Sequence, residues 1–158
     1  MPSAPAILVE YAAGRFAAIA FADMVEVLDG PEVLRVPFAP GHCEALTEWY
    51  GHRLPVFDLA AWNGTPPDGW QRFCVVVSYP HGGSRRYGAL RAVSFPRIVE
   101  VDDVAAAPLP DASWRGFARS CFRHGERTVP VLALEQLFET SRAEADEAAP
   151  STVEYNLA

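Results

Sequence analysis

The sequence predicts an all-β protein with a minor helix: two small β-barrels packed together, with a helix at the C-terminal end. Three observations predict it. Apolar and polar residues alternate with period two through most of the chain. About ten short strand-like runs are separated by turn residues at nearly regular spacing, the signature of a barrel or sandwich. The order of those runs then repeats after about 75 residues, too long for a solenoid unit and suited to two small barrels.

The elements follow in order. Residues 6–21, AILVEYAAGRFAAIAF, form two strands with a tight turn at Ala13-Gly14. MVEVLD at 24–29 is a short strand that stops at the Gly30-Pro31 turn. Residues 32–40 run extended, because Pro37 and Pro40 exclude a helix interior. HCEALTEWY at 42–50 is expected to be a short irregular or helical piece. HRLPVFDL at 52–59 is the next strand, with Pro55 expected at an edge or bulge. A loop over 60–69, with a helical turn near Leu59–Trp62, divides the chain. WQRFCVVVSY at 70–79 is the strongest strand, returning through a Gly82-Gly83 hairpin loop into YGALRAVSF. RIVEVDD, a Pro-rich connector over 105–113 and a hairpin over 115–134 turning at His124-Gly125 complete the second half. Leu134, Leu137 and Phe138 make the apolar stripe of a closing helix. The halves correspond through Val25-Glu26-Val27 and Val99-Glu100-Val101, and through Leu54-Pro55-Val56 and Val129-Pro130-Val131. The expected layout is a single domain over 1–140, with a first barrel over about 6–62, a second over about 70–133 and a helix over about 134–147. Residues 148–158 are expected to be a flexible acidic tail.

Composition narrows function. The 158 residues are half hydrophobic and 21% charged, as in a soluble globular domain. A net charge of −7 argues against nucleic-acid binding, which needs a basic footprint. From Glu139 onward, five acids face only Arg142. The apolar runs are too short to insert into a membrane, and the N-terminus has no signal-peptide pattern. Cys43, Cys74 and Cys121 have no metal-ligand or CxxC spacing, so they are expected to be buried free thiols in a reducing cytoplasm.

No catalytic set emerges. His42, Cys43 and Glu44 are consecutive, so their side chains point apart. His42, His52, His81 and His124 fall in turns or strand starts and are expected at the surface. Asp58, at a strand end, is better placed to cap the following turn than to act as an acid or base. Gly82-Gly83-Ser84-Arg85-Arg86 lacks the spacing and the helix of a phosphate loop. The chain is therefore expected to be no enzyme and to need no cofactor or metal.

Three stretches resemble the CheW-like family of chemotaxis adaptors: GRFAAIAFADMVEVLDGPEVLRVPFAP, YGHRLPVFDLAAWNG, and the second-half strands with the closing helix. Gly51, Pro55, Val56, Asp58, Leu59 and Gly64 match that family's RGxxxPVxDLxxxLG signature. The resemblance implies two SH3-like five-stranded barrels. It implies two partners: the regulatory domain of a CheA-type histidine kinase, and the cytoplasmic tip of a chemoreceptor lying between the barrels. A cytoplasmic protein recruited to a membrane-associated array, of flagellar or type IV pilus type, would follow. The match departs from the family at Tyr50, where the family has an arginine implied in receptor coupling, at Ala45 for a glycine, and at Ala92 for an acid. The family's GLLVD segment is here Gly88-Ala89-Leu90-Arg91-Ala92. These departures favour an auxiliary member.

A docking protein needs exposed aromatic and arginine anchors. Trp49, Tyr50 and Arg53 concentrate them beside Gly51, and the family pattern adds Glu26 and Val27; the plainer reading is that Trp49 and Tyr50 cap a barrel. Arg119, with Arg115 and Arg123, alternates with Trp114, Phe117 and Phe122 and suggests a basic rim. Trp62 and Trp70 fit packing between barrel ends. Two alternatives stay open: a small-molecule-sensing barrel, which needs an apolar cavity of roughly 300 Å³ or more, and an orphan docking domain outside chemotaxis.

Overall fold

The computed structural model describes residues 3–37, 39, 41–43, 45–65, 71–102 and 105–148, with 143–148 as backbone. The expectations for Pro40, Trp70 and the tail beyond Ala148 lie outside the described residues. The strands are β1 (Ser3–Ala12), β2 (Arg15–Ala20), β3 (Met24–Asp29), β4 (Val33–Arg35), β5 (Ala45–Trp49), β6 (His52–Phe57), β7 (Phe73–His81), β8 (Ser84–Ala92), β9 (Arg97–Asp102), β10 (Ala118–His124) and β11 (Arg127–Leu132). A short helix α1 (Leu59–Trp62) separates the halves, and α2 (Leu134–Ala148) closes the chain. Among the described residues no helix is long and apolar enough to cross a membrane.

The strands form two curled sheets. One runs β10-β11-β2-β1-β9 and the other β3-β7-β8-β6-β5-β4. The expected barrels over 6–62 and 70–133 are therefore not how the strands pair: each sheet takes its first hairpin from one half and the rest from the other. The hairpins β1–β2 and β7–β8 are exchanged between otherwise parallel plans. The repeat survives the exchange. The Val-Glu-Val strands β3 and β9 each lie at a sheet edge against the first strand of the opposite hairpin, β7 and β1. The Pro-Val strands β6 and β11 each run parallel to the second, through Val56↔Ala89 and Val131↔Ala18. Pairing with β8 begins only at Val56, so Pro55 sits inside the sheet without a missing ladder bond.

A further correction concerns 45–49. This segment is a regular strand, joined to β6 by a two-residue hairpin with Trp49 opposite His52. Its buried positions are Ala45 and Thr47, one small and one polar, so the usual apolar alternation is hidden. The Thr47 hydroxyl donates to the Glu32 carbonyl at 2.9 Å, which satisfies it inside. The last hairpin also turns one residue later than expected, with His124 opposite Arg127.

The largest core lies between the sheets rather than inside them. Ile7, Val9 and Tyr11 of β1 meet Val75, Val77 and Tyr79 of β7, and α2 adds Leu134, Leu137 and Phe138. Intervening residues face the barrel interiors: Ala6 and Leu8 with Phe122 and Val129 in one, Cys74 with Ala45, Val56 and Ala89 in the other. Strands buried on both faces read as continuous apolar runs, which is why AILV and CVVV break the alternation. Each large side chain buried in the seam contributes roughly 1.5–3 kcal/mol. Gly88 lets α2 approach: a Cβ there would lie 2.5 Å from Cε1 of Phe138. Phe138 in turn stacks on Tyr79, with ring centroids 5.5 Å apart.

Several single-residue expectations also meet the structure. Asp58 caps α1, accepting from the N–H groups of Ala60 and Ala61. Trp62 packs on Trp114 and Phe117, with centroids 5.0 Å apart in both pairs. His52 and His124 are exposed, whereas His42 and His81 are half-buried, contrary to the surface expectation. His42 rests on Phe57, and His81 sits beside Glu135 and Glu139. Cys74 and Cys121 are buried free thiols, while Cys43 is only half-buried. Burial raises the thiol pKa of Cys74 and of Cys121, against thiolate chemistry at either.

Candidate functional site

The β5–β6 turn carries the most unusual backbone among the described residues. Tyr50 (φ 48°) and Gly51 (φ 79°) are both left-handed, as a type I′ hairpin requires. Glycine occupies such positions freely. A tyrosine does so at a cost of about 1–2 kcal/mol, and among the described residues no other non-glycine has positive φ. The strained residue is also the most exposed large hydrophobic described, at 78%.

Its neighbours are held firmly. The Trp49 indole N–H donates to the Glu26 carboxylate at 2.6 Å. Such a bond to a charged acceptor is worth roughly 1.5–3 kcal/mol. It joins β5 to β3, strands far apart in the sheet order, so it also marks how tightly that sheet curls. Trp49 contacts the Tyr50 ring edge-on at 5.1 Å and lies against Tyr87 of β8 at 5.3 Å. Three aromatic rings therefore line one rim.

The rim opens on a groove of about 750 Å³ between the β5–β6 hairpin, β8 and α2. Arg53, Arg86 and Arg142 form its basic wall. Arg86 is fixed by donating to Glu139 at 2.7 Å, and Arg142 lies 3.9 Å from the same carboxylate. Glu139 also accepts from the Tyr79 hydroxyl at 2.7 Å. Burial pushes the Glu139 pKa up. The Tyr79 hydroxyl, Arg142, Arg86 and His81 outweigh it and hold the carboxyl below its ordinary value. The site can present aromatic faces and guanidinium forks to a partner.

Four of the six expected site residues come together here: Glu26, Trp49, Tyr50 and Arg53. Val27 does not. It pairs with Val75 and shares that residue's face, opposite the face of Glu26. Arg119 lies on β10, the edge of the other sheet, exposed and outside this groove. The sequence does not assign Arg86, Tyr87 or Arg142 to a docking site, because β8 and α2 reach the groove only through the fold. The nearest local signal is Tyr87 beside the close-approach Gly88.

A family model described as a CheW-like domain matches residues 6–142. The structure is similar to that of the scaffolding protein TtCheW from Thermoanaerobacter tengcongensis, with a TM-score of 0.68 at 19% sequence identity, covering 86% of this chain and 93% of that one. At that identity the likeness shows the fold, two SH3-like barrels. No curated protein matches the chain in sequence.

Proposed function

The chain belongs to the CheW-like family of scaffold proteins, and from that membership we propose that it is a non-enzymatic adaptor in a chemosensory system. It docks the regulatory domain of a CheA-type histidine kinase, and its Trp49–Tyr50 groove receives a helical partner such as a chemoreceptor tip. It works in the cytoplasm and is recruited to a membrane-associated array. The observation that carries this reading is Tyr50: a bulky, exposed side chain held in a strained turn and braced by Trp49, Glu26 and Tyr87. Strain kept at an exposed aromatic beside arginines fits a recognition anchor better than a barrel cap. Val27 and Arg119 would then serve separate contacts, on the outer face of β3 and on the β10 edge.

Calorimetry against each CheA-type kinase of the same genome tests the first half; no heat of binding at tens of micromolar with any of them would sink the proposal. Tyr50→Arg tests the second. It is expected to gain affinity for a standard receptor tip, and an unchanged affinity would place receptor contact elsewhere. The small-molecule alternative has less support. Side chains pack both barrel interiors. The apolar cleft beneath α2 measures about 230 Å³, below the roughly 300 Å³ at which small-molecule pockets begin.

A further inference from the structure

Charge is spread unevenly over this molecule. The chain carries −7 overall, yet one end of the five-stranded sheet is basic. The β1–β2 turn leads into Arg15, the β10–β11 turn lies between Arg123 and Arg127, and β9 begins at Arg97. All four arginines are exposed, as is His124.

Two of these arginines converge. The guanidinium carbons of Arg127 and Arg97 lie 4.9 and 5.9 Å from the centre of the Phe16 ring on β2. In the sheet order β2 and β1 stand between β11 and β9, so it is the curl of the sheet that brings both cations to one ring. They are then at most about 11 Å apart, close to the Debye length of roughly 10 Å at 0.1 M salt, and like charges so placed repel. The aromatic contact orients each guanidinium without cancelling its charge. Arg127 donates to the Gly14 carbonyl, a neutral acceptor. Arg97 makes no hydrogen bond or ion pair with any described residue.

Beside the two guanidiniums opens a notch of about 230 Å³, walled by His124 and Glu126. Glu126 forms an ion pair with neither arginine, and Glu10 nearby is engaged in accepting from Gly14 N at 2.8 Å. Leu8 and Val129 floor the notch and are buried, so an apolar base lies under a charged rim. The residues on either side of each lining residue in sequence are also among the described ones. The volume suits one side chain better than a small-molecule ligand, for which pockets begin at roughly 300 Å³. Arg123 and Arg119, both exposed, continue the positive charge along β10, the edge strand.

We propose that this end of the five-stranded barrel is a docking surface for an acidic segment of a partner protein, one of whose carboxylates enters the notch between Arg97 and Arg127. Guanidinium forks meet a carboxylate through charge-assisted bonds, and its arrival relieves the repulsion between the two cations. The apolar floor takes the methylenes of a glutamate. A nucleic acid needs a broad basic footprint, whereas a short acidic segment needs only a local complement. The surface shares no residue with the Trp49–Tyr50 groove, so it stands or falls independently of the groove reading.

The test titrates the full chain with hexaglutamate at about 50 mM and again at about 300 mM sodium chloride. Arginine Nε–H and backbone amide signals are followed by NMR. Hexaglutamine and a short oligothymidylate form two further arms. Saturable shifts are expected at Arg97, Arg127 and Phe16 with hexaglutamate and none with hexaglutamine. Affinity should fall at least about fivefold at the higher salt. Arg97→Gln should weaken binding by about tenfold or more. Arg72→Gln, which removes a cation tied to Asp29, should leave it unchanged. If Arg97→Gln fails to fold, Arg127→Gln carries the same expectation. Shifts that scatter over the surface or do not saturate, an affinity that survives loss of the Arg97 charge, or an oligothymidylate that binds as tightly as hexaglutamate would each overturn the proposal.

Discussion

The two barrels repeat one plan, yet their matching hairpins differ. In one, the β5–β6 turn presents Trp49, Tyr50 and Gly51 against Tyr87, with Glu26 tied to the indole. In the other, the β10–β11 turn presents His124, Gly125 and Glu126, all exposed. The strand glutamates correspond as well. Glu26 braces the groove, while among the described residues its counterpart Glu100 accepts from the Ser3 hydroxyl at 3.1 Å. The helix α2 covers the six-stranded sheet with 15 residues, whereas its counterpart α1, which follows β6 as α2 follows β11, has only 4. The shared plan therefore specifies the fold, and what one copy adds to it makes the candidate site.

Four perturbations sharpen that contrast. The largest effect is expected at the longer helix: Phe138→Ala should cost about 3–5 kcal/mol in denaturant unfolding and slacken the Arg86–Arg142 wall. Gly88→Ala comes next, at about 1–3 kcal/mol from overpacking against Phe138. Combined with Phe138→Ala it should cost less than the sum, since the clash has been removed; strict additivity would mean that the two residues are not in contact. Tyr50→Asn should stabilise the turn by about 1 kcal/mol, because asparagine tolerates the left-handed region. It should also lower partner affinity. A variant that gains stability and keeps its affinity would mark Tyr50 as mere surface. The smallest effect is a pH dependence. The Glu139 carboxyl lies below its ordinary 4.5 in the folded chain. Its stabilising contribution is complete above that value and is lost as pH falls through the lower folded value. Glu139→Gln should flatten that part of an acid-unfolding curve.

Much of the fold is legible in the sequence because local signals carry it. Ala13-Gly14 and Gly82-Gly83 mark hairpins, and the repeated Val-Glu-Val and Pro-Val strands mark the plan. The hairpin exchange is not legible, since β1 and β7 are both apolar on two faces and nothing local says which sheet each joins. Strand β5 was hidden by Thr47, a polar residue satisfied inside the barrel. At the groove, Trp49, Tyr50 and Arg53 are adjacent in sequence and stand out, whereas Arg86, Tyr87 and Arg142 come from strands and a helix that only folding brings near. Val27 and Arg119 mislead for a related reason: proximity in a motif does not fix which face or which sheet a side chain occupies.

The exchanged hairpins also set a schedule for biosynthesis. β1 and β2 leave the ribosome well before β9, β10 and β11, which complete their sheet about a hundred residues later. At roughly 5–20 residues per second, the first hairpin waits several seconds with both edges unmatched. Neither half can close its own sheet, so the chain is expected to fold only when nearly complete, and slowly, as long-range strand pairing demands. Cutting it at the α1 loop would yield two fragments that find stability only by finding each other.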